Sequence, residues 1–243
     1  MNKRLIRKVH RWLGAIAAIQ LLIWTCSGFY FSLIPIEDIR GEHLLKKAAT
    51  YQLNHIRMLP PSSLGREYPE ISRMRIDQVQ IKQRLNTAVY LIRNEEEWLA
   101  FNAETGEKLP TITETEARSI ASYRANSPVA AVSLITEIES GDEYRGGELP
   151  AWKIELADET AHLYVGATSG QVRAVRTSSW RFYDFLWSLH IMDYRNRDNF
   201  NHWLLRGFSI LGVISVLSGI VLFISSTQWI TRDPRNSQET AIG

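Results

Sequence analysis

Residues 3–36 read KRLIRKVHRWLGAIAAIQLLIWTCSGFYFSLIPI, and the organisation of the rest of the chain follows from them. Between Arg11 and Glu37 stand 25 residues without a charge. As a helix rising ~1.5 Å per residue they exceed the ~30 Å hydrocarbon core of a bilayer. The stretch therefore predicts a transmembrane helix over 12–36. Lys3, Arg4, Arg7, Lys8 and Arg11 precede it with no acid among them, and short basic flanks stay on the inner side, so 1–11 is expected in the cytoplasm. A secretory signal has an apolar region of ~7 to 15 residues ending in small residues at its cleavage site. This one is longer and ends in Phe29, Tyr30, Phe31 and Leu33, which predicts an uncleaved anchor.

The same pattern returns near the other end. Between Arg206 and Arg232 lie another 25 uncharged residues, predicting a second transmembrane helix over 203–230 and a cytoplasmic tail over 231–243. Two crossings would place residues 37–179 outside the cytoplasm, in the periplasm of a bacterium with two membranes, and leave enough chain for one domain with its own core. The charge of 28 basic against 26 acidic residues is nearly balanced and its basic excess sits at the membrane edge, which argues against a nucleic-acid partner. The single cysteine, Cys26, falls inside the first span and rules out an intrachain disulfide.

The middle segment reads as α+β. RIDQVQI, NTAVYLI and EWLAFNA alternate with period two and predict an antiparallel meander, closed by a turn at Ala103–Gly106. Thr113 and Glu116 form a capping box ahead of a helix carrying Ala117, Ile120, Ala121 and Tyr123 on one face. Pro128, with Val132, Ile135 and Ile138 at helical spacing, predicts a second helix over PVAAVSLITEIES. AWKIEL, AHLYVGA and QVRAVRT then read as strands, with a turn at Ala167–Gly170. LAFNAETGEKL and LYVGATSGQVR echo each other, which suggests two similar sheet halves flanking helices. The segments MLPPSSLGREYPE and GDEYRGGELP read as loops; His43 and His55 read as surface or packing residues, and His162 as a partly buried sheet residue, rather than ligands.

Residues 180–194 differ in kind. Phe182, Phe185, Leu186 and Leu189 make one apolar helical face, while Trp180, Tyr183, Trp187 and Tyr194 are aromatics favoured at a water–lipid boundary, so an interfacial amphipathic helix is expected. It carries His190. A polar break follows, and His202 with Trp203 stands at the mouth of the second span.

The spans mirror one another. Ser27-Gly28 lies seventeen residues after His10, and Ser218-Gly219 sixteen after His202. Because the helices cross in opposite directions, each small pair should lie at the depth of the other helix's histidine, where it lets a helix or a flat cofactor approach. Neutral imidazole is a frequent axial ligand of haem iron in electron-transfer centres. His190 and His202 are expected on the outer side as a pair, with His10 stranded on the inner side, where a centre would need a second chain or another ligand. Without haem, the alternatives are an interfacial histidine at position 10 and plain helix contacts at the Ser-Gly pairs. The aromatics Trp180, Tyr183, Trp187 and Trp203 would wall a haem or form a lipid-boundary belt; Asp184 and Asp193 would draw ferric iron or be ordinary solvated acids. No G-x-G-x-x-G fingerprint for a nucleotide cofactor is present.

The HRWLG opening at His10–Gly14, the Ser27-Gly28 end of the first span, the turns at Ala103–Gly106 and Ala167–Gly170, and the WSLH segment at Trp187–His190 before the last span together resemble the PepSY-associated transmembrane proteins. The likeness covers nearly the whole chain, through the order of motifs rather than any one of them. Larger members have four spans and include ferric-siderophore reductases with b-type haems; small inner-membrane members assist ferrous iron uptake. The resemblance implies a PepSY-like domain between two spans, and haem b at His10, His190 and His202. It further implies electron transfer from a quinol or cytoplasmic donor to ferric iron or a ferric chelate, cooperation with a ferrous iron transporter, and a homodimer that restores four spans. The competing expectations are a non-enzymatic PepSY module that binds a peptide, peptidase or transporter, and a haem sensor or delivery protein.

Overall fold

The computed structural model describes residues 3–47, 57–94, 97–157 and 160–226. The chain opens with α1 (Lys3–Leu33). Its segment Gly14–Leu33, 20 residues long, is apolar and long enough to cross a membrane. Pro35, which lacks the amide hydrogen that would continue the helix, ends it and leads into the short α2 (Ile36–Ile39). His43 is exposed in the following turn, as expected, whereas His55 and the end of the chain beyond 226 lie outside the described residues.

The segment read as a loop around residue 64 instead forms α3 (Leu64–Glu67) and α4 (Pro69–Arg73). Their Leu64 and Ile71 are buried against Tyr90, Ile92, Leu99 and Phe101, so apolar contact holds two helices too short to persist alone. Strands β1 (Gln78–Arg84), β2 (Thr87–Arg93) and β3 (Trp98–Asn102) form the expected antiparallel meander, with Tyr90 opposite Phe101 and Leu91 opposite Ala100. Both faces of β2 are covered: Val89 and Leu91 pack with Ala100 on the side away from α3 and α4.

Helix α5 (Glu114–Arg124) begins at the capping box. Glu116 N donates to Thr113 Oγ1 at 3.3 Å and Thr113 N to Glu116 Oε2 at 2.7 Å. Its Ala117, Ile120 and Ala121 are buried, but Tyr123 points to solvent. The helix expected after Pro128 is a strand, β4 (Val129–Ile135). It pairs with β5 (Ala151–Leu156), and the register shifts between Val129 and Ala131. That irregularity displaces the two-residue alternation by one position. Val129 and Val132 thereby share the face toward α5, whereas Ile135 packs with Tyr144 and Tyr164 on the opposite face, so partly buried residues from two faces fall at a spacing that mimics a helix. β6 (His162–Gly166) and β7 (Val172–Arg176) complete a four-stranded antiparallel sheet in the order β4-β5-β6-β7. Its inner face packs Ile154, Leu163, Val165 and Val175 against α5.

The internal echo is structural at the two turns. Gly106 N donates to Asn102 O, and Gly170 N to Gly166 O, each at 2.9 Å. The two glycines have φ of +81° and +63°, where a side chain is strained. The halves also meet: Gln171 Nε2 donates to Gln83 O at 2.6 Å, and Arg173 lies over the Trp98 ring at 4.8 Å.

Thr177 caps α6 (Ser178–Ile191) by accepting from Trp180 N, and the helix ends at Met192 in the left-handed region. A loop ordered by Asp193, which accepts from the amides of Asn196, Asp198 and Asn199, leads to α7 (Trp203–Ser226). Among the described residues the apolar stretch of α7 is Trp203–Leu217. Both long helices leave large apolar side chains bare, among them Ile19, Leu22, Ile210 and Val213. The fold thus combines one apolar helix long enough to cross a membrane with an α+β domain of two antiparallel sheets.

Candidate functional site where α1 meets α6

The last turn of a helix leaves carbonyl oxygens without partners inside the helix. In α6 three of them are satisfied from elsewhere. Gln20 Nε2 donates to Leu189 O at 3.5 Å, Trp24 Nε1 to His190 O at 2.7 Å, and His202 Nε2 to Ile191 O at 2.9 Å. Gln20 and Trp24, the polar and amphipathic members of an otherwise greasy stretch, are thereby explained as docking groups for α6. Aromatic contacts extend the seam: Phe182 meets Tyr30 edge-on, and Tyr183 and Trp187 flank Phe31.

Within this seam Ser27 is almost fully buried, and its Oγ lies 2.7 Å from His190 Nδ1. The comparison of the spans set Ser27-Gly28 against His202 of the second span; the histidine that Ser27 meets is instead His190 of α6. The Ser27 hydroxyl has a single hydrogen, and two backbone carbonyls stand ready to accept it, Ile23 O at 2.8 Å and Trp24 O at 3.2 Å. With the hydrogen so used, Oγ accepts from Nδ1–H and the lone pair of His190 resides on Nε2. Nε2 has no hydrogen-bond partner among the described residues. Burial lowers the affinity of His190 for a second proton, favouring the neutral ring that binds metals. The Trp187 indole lies parallel to the imidazole, 7° between planes and 6.3 Å between centroids. A side chain at Gly28 would meet nothing within 4 Å, so the backbone there is open to close approach.

His202 is placed differently. Its Nε2 is bonded to Ile191 O and its Nδ1 accepts from Leu205 N at 3.4 Å, capping α7. The ring ties the end of α6 to the start of α7, and iron could bind it only if one of those bonds were released. Trp203 is exposed and contributes no wall to the His190 site. His10 belongs to α1, but its side chain, like those of Ser218 and Gly219, lies outside the described residues. Asp184 is no solvated acid: it is buried, held by Arg145 Nη2 at 2.5 Å and Arg197 Nη1 at 2.7 Å. Asp193 is occupied with the loop amides. Burial alone would raise its pKa, but the N–H groups of Asn199, Asn196 and Asp198 bring it below the ordinary value.

On the domain side of α6, a cavity of about 440 Å³ is lined by Arg145, Arg176, Trp180, Tyr183, Asp184 and Trp187. A second, of about 240 Å³, shares Arg145, Gly146 and Arg176 with it and reaches Arg93, Trp98 and Arg173. Sequence reading missed this feature, because GDEYRGGELP shows no periodicity and its partners lie about thirty to forty residues away. His162, read as a partly buried sheet residue, is one, and it joins Arg181 and Tyr164 around Glu143. No cluster of three or more His, Cys, Asp or Glu side chains suited to a metal ion occurs among the described residues.

The chain matches no family model, no curated protein and no solved structure.

Proposed function

We propose that this is a bacterial inner-membrane haem b protein, a two-span relative of the PepSY-associated transmembrane proteins, that passes electrons to ferric iron at the periplasmic face. The observation that carries the reading is His190: its Nδ1 is anchored by the buried Ser27 hydroxyl while its Nε2 is left unengaged. Iron-binding histidines commonly use one ring nitrogen for the metal and the other for an orienting hydrogen bond. The bare apolar surfaces of α1 and α7 support a lipid setting, and the basic approach to α1 supports cytoplasmic termini with the α+β domain outside.

A bound haem would supply one-electron chemistry. The chain would hold it through His190 Nε2, with Ser27 fixing the ring, Gly28 leaving room for a flat group and Trp187 screening the imidazole. A further ligand for the group would be His202, after release of its bond to Ile191 O, or a residue of a second copy of the chain in a homodimer. His10, at the other end of α1, would mark the side where electrons arrive from a quinol or a cytoplasmic donor.

The test is a spectrum. Full-length protein purified in detergent from haem-replete cells should show a Soret band, lose it in His190→Ala, and once reduced with dithionite be reoxidised by ferric citrate. Colourless protein would overturn the proposal. Coloured protein that ferric citrate does not reoxidise would leave haem carriage or sensing in its place.

A further inference from the structure

The cavity beside α6 holds an arginine that makes no ion pair with any carboxylate among the described residues. Arg145 and Arg176 both lie against the Trp180 indole, their Cζ atoms 5.6 and 4.1 Å from the ring centroid. Arg145 is matched by Asp184 and by Asp198, at 2.5 and 3.0 Å. Arg176 has no such partner: Nε donates to Glu143 O at 2.7 Å and Nη1 to Val175 O at 3.3 Å, both neutral carbonyls. No carboxylate forms an ion pair with it among the described residues.

The neighbouring acids are already engaged. Glu148 is fully buried, and it accepts from Arg173 and from the amides of Thr168 and Ser169. Asp184 is shared between Arg145 and Arg197. Burial, and then the nearby charge of Arg145, weaken the hold of Arg176 on its proton and outweigh the opposing pull of Glu143 and Asp184, neither of which pairs with it directly. Holding a partly buried guanidinium beside a like charge is costly unless an anion arrives from outside. The space of about 440 Å³ suits a small molecule. Guanidinium forks match planar carboxylates in geometry, and stacking on the Trp180 indole holds the Arg176 fork in place.

We propose that this cavity binds a small carboxylate-bearing anion, with Arg176, held in place by Trp180, as its principal electrostatic contact. Resting on the function proposed above, the anion is a carboxylate chelate of ferric iron. Trp187 lines the cavity and also stacks parallel to His190, so a chelate seated there stands one indole away from the iron-binding imidazole.

The test uses full-length protein in neutral detergent and calorimetric titration with gallium citrate, a redox-inert stand-in that needs no haem. Wild type should bind. Arg176→Gln should weaken binding about tenfold or more, and Arg176→Lys should recover part of the loss. Because Arg176 also supports the backbone at Glu143, a second variant keeps the test sharp: Asp198→Asn, at an exposed position, removes a competing charge and frees Arg145 Nε. It should tighten binding severalfold. Absence of wild-type binding, an unchanged affinity in folded Arg176→Gln, weaker binding in Asp198→Asn, or displacement of gallium citrate by phosphatidylglycerol vesicles, which would mark a lipid headgroup site, each overturns the proposal. Colourless protein that still binds gallium citrate would sink the haem reading and leave the anion site standing; coloured protein that does not bind would do the reverse.

Discussion

Replacing Ser27 by Ala isolates the contact on which the functional reading depends. The substitution removes one oxygen from a position almost closed to solvent, so little new space opens and no charge changes. Two effects oppose each other. Alanine is a better helix former than serine by about 0.5 kcal/mol. Against that, His190 Nδ1 loses its partner at 2.7 Å, and an unsatisfied buried polar group costs about 1–3 kcal/mol. The penalty exceeds the gain, so Ser27→Ala should be net destabilising by about 1–2 kcal/mol, measured as a lower thermal midpoint in detergent. A double-mutant cycle with His190→Phe assigns the loss to the pair: the second variant lacks the nitrogen, and Ser27→Ala should then cost nothing or stabilise slightly. If the protein carries haem, removing an orienting partner should also weaken retention about 10- to 100-fold, seen as faster transfer to apomyoglobin. A neutral Ser27→Ala with no coupling to His190 would refute the reasoning, because Ser27 would then be only a small residue bonded back to its own helix.

Two further outcomes follow from the domain. Burial alone would raise the Glu143 pKa, but hydrogen bonds from Arg181, His162 and Tyr164 outweigh it and bring it from 4.5 down to about 2. The folded state thus favours the carboxylate: this contribution is present above pH 4.5 and lost as pH falls toward about 2. Glu143→Gln should therefore flatten the acid limb of denaturant-measured stability in that window and leave its shape above it unchanged. Leu163, wholly buried between the four-stranded sheet and α5, should cost about 2–5 kcal/mol when cut to Ala, read as a lower urea midpoint with the slope retained.

The legible parts of this fold are those whose cause is local. Six of the seven strands could be read from two-residue alternation, and α5 from Thr113 and Glu116, because side-chain direction and capping act over a few residues. β4 misled because one register shift put Val129 and Val132 on the same face and Ile135 found cover on the other, a combination that reads as helical spacing. The Arg145–Asp184 and Arg176–Trp180 contacts could not be read, since nothing near Arg145 in sequence announces a partner on α6. Ser27 was legible only in part. It sits 163 positions from His190, and although residue counting along the two spans marked Ser27 as a place of close approach, it pointed to His202 rather than to the α6 histidine that Ser27 meets.

Depth also bears on why His190, and not His202, keeps a ring nitrogen without a partner among the described residues. A helix that ends against an apolar neighbour cannot leave its last carbonyls to water, so each needs a donor built into the surrounding helices. Gln20, Trp24 and His202 meet that demand for Leu189, His190 and Ile191. His202 spends its ring on this task, whereas the backbone of His190 is served by Trp24 and its ring is left to other use. The same tryptophan and serine that dock α6 on α1 thus hold the imidazole by its main chain and by Nδ1 together, two constraints on one residue. A side chain kept only to fill the seam would need neither, and a phenylalanine, which the seam already uses at Phe31, would pack there without a polar partner.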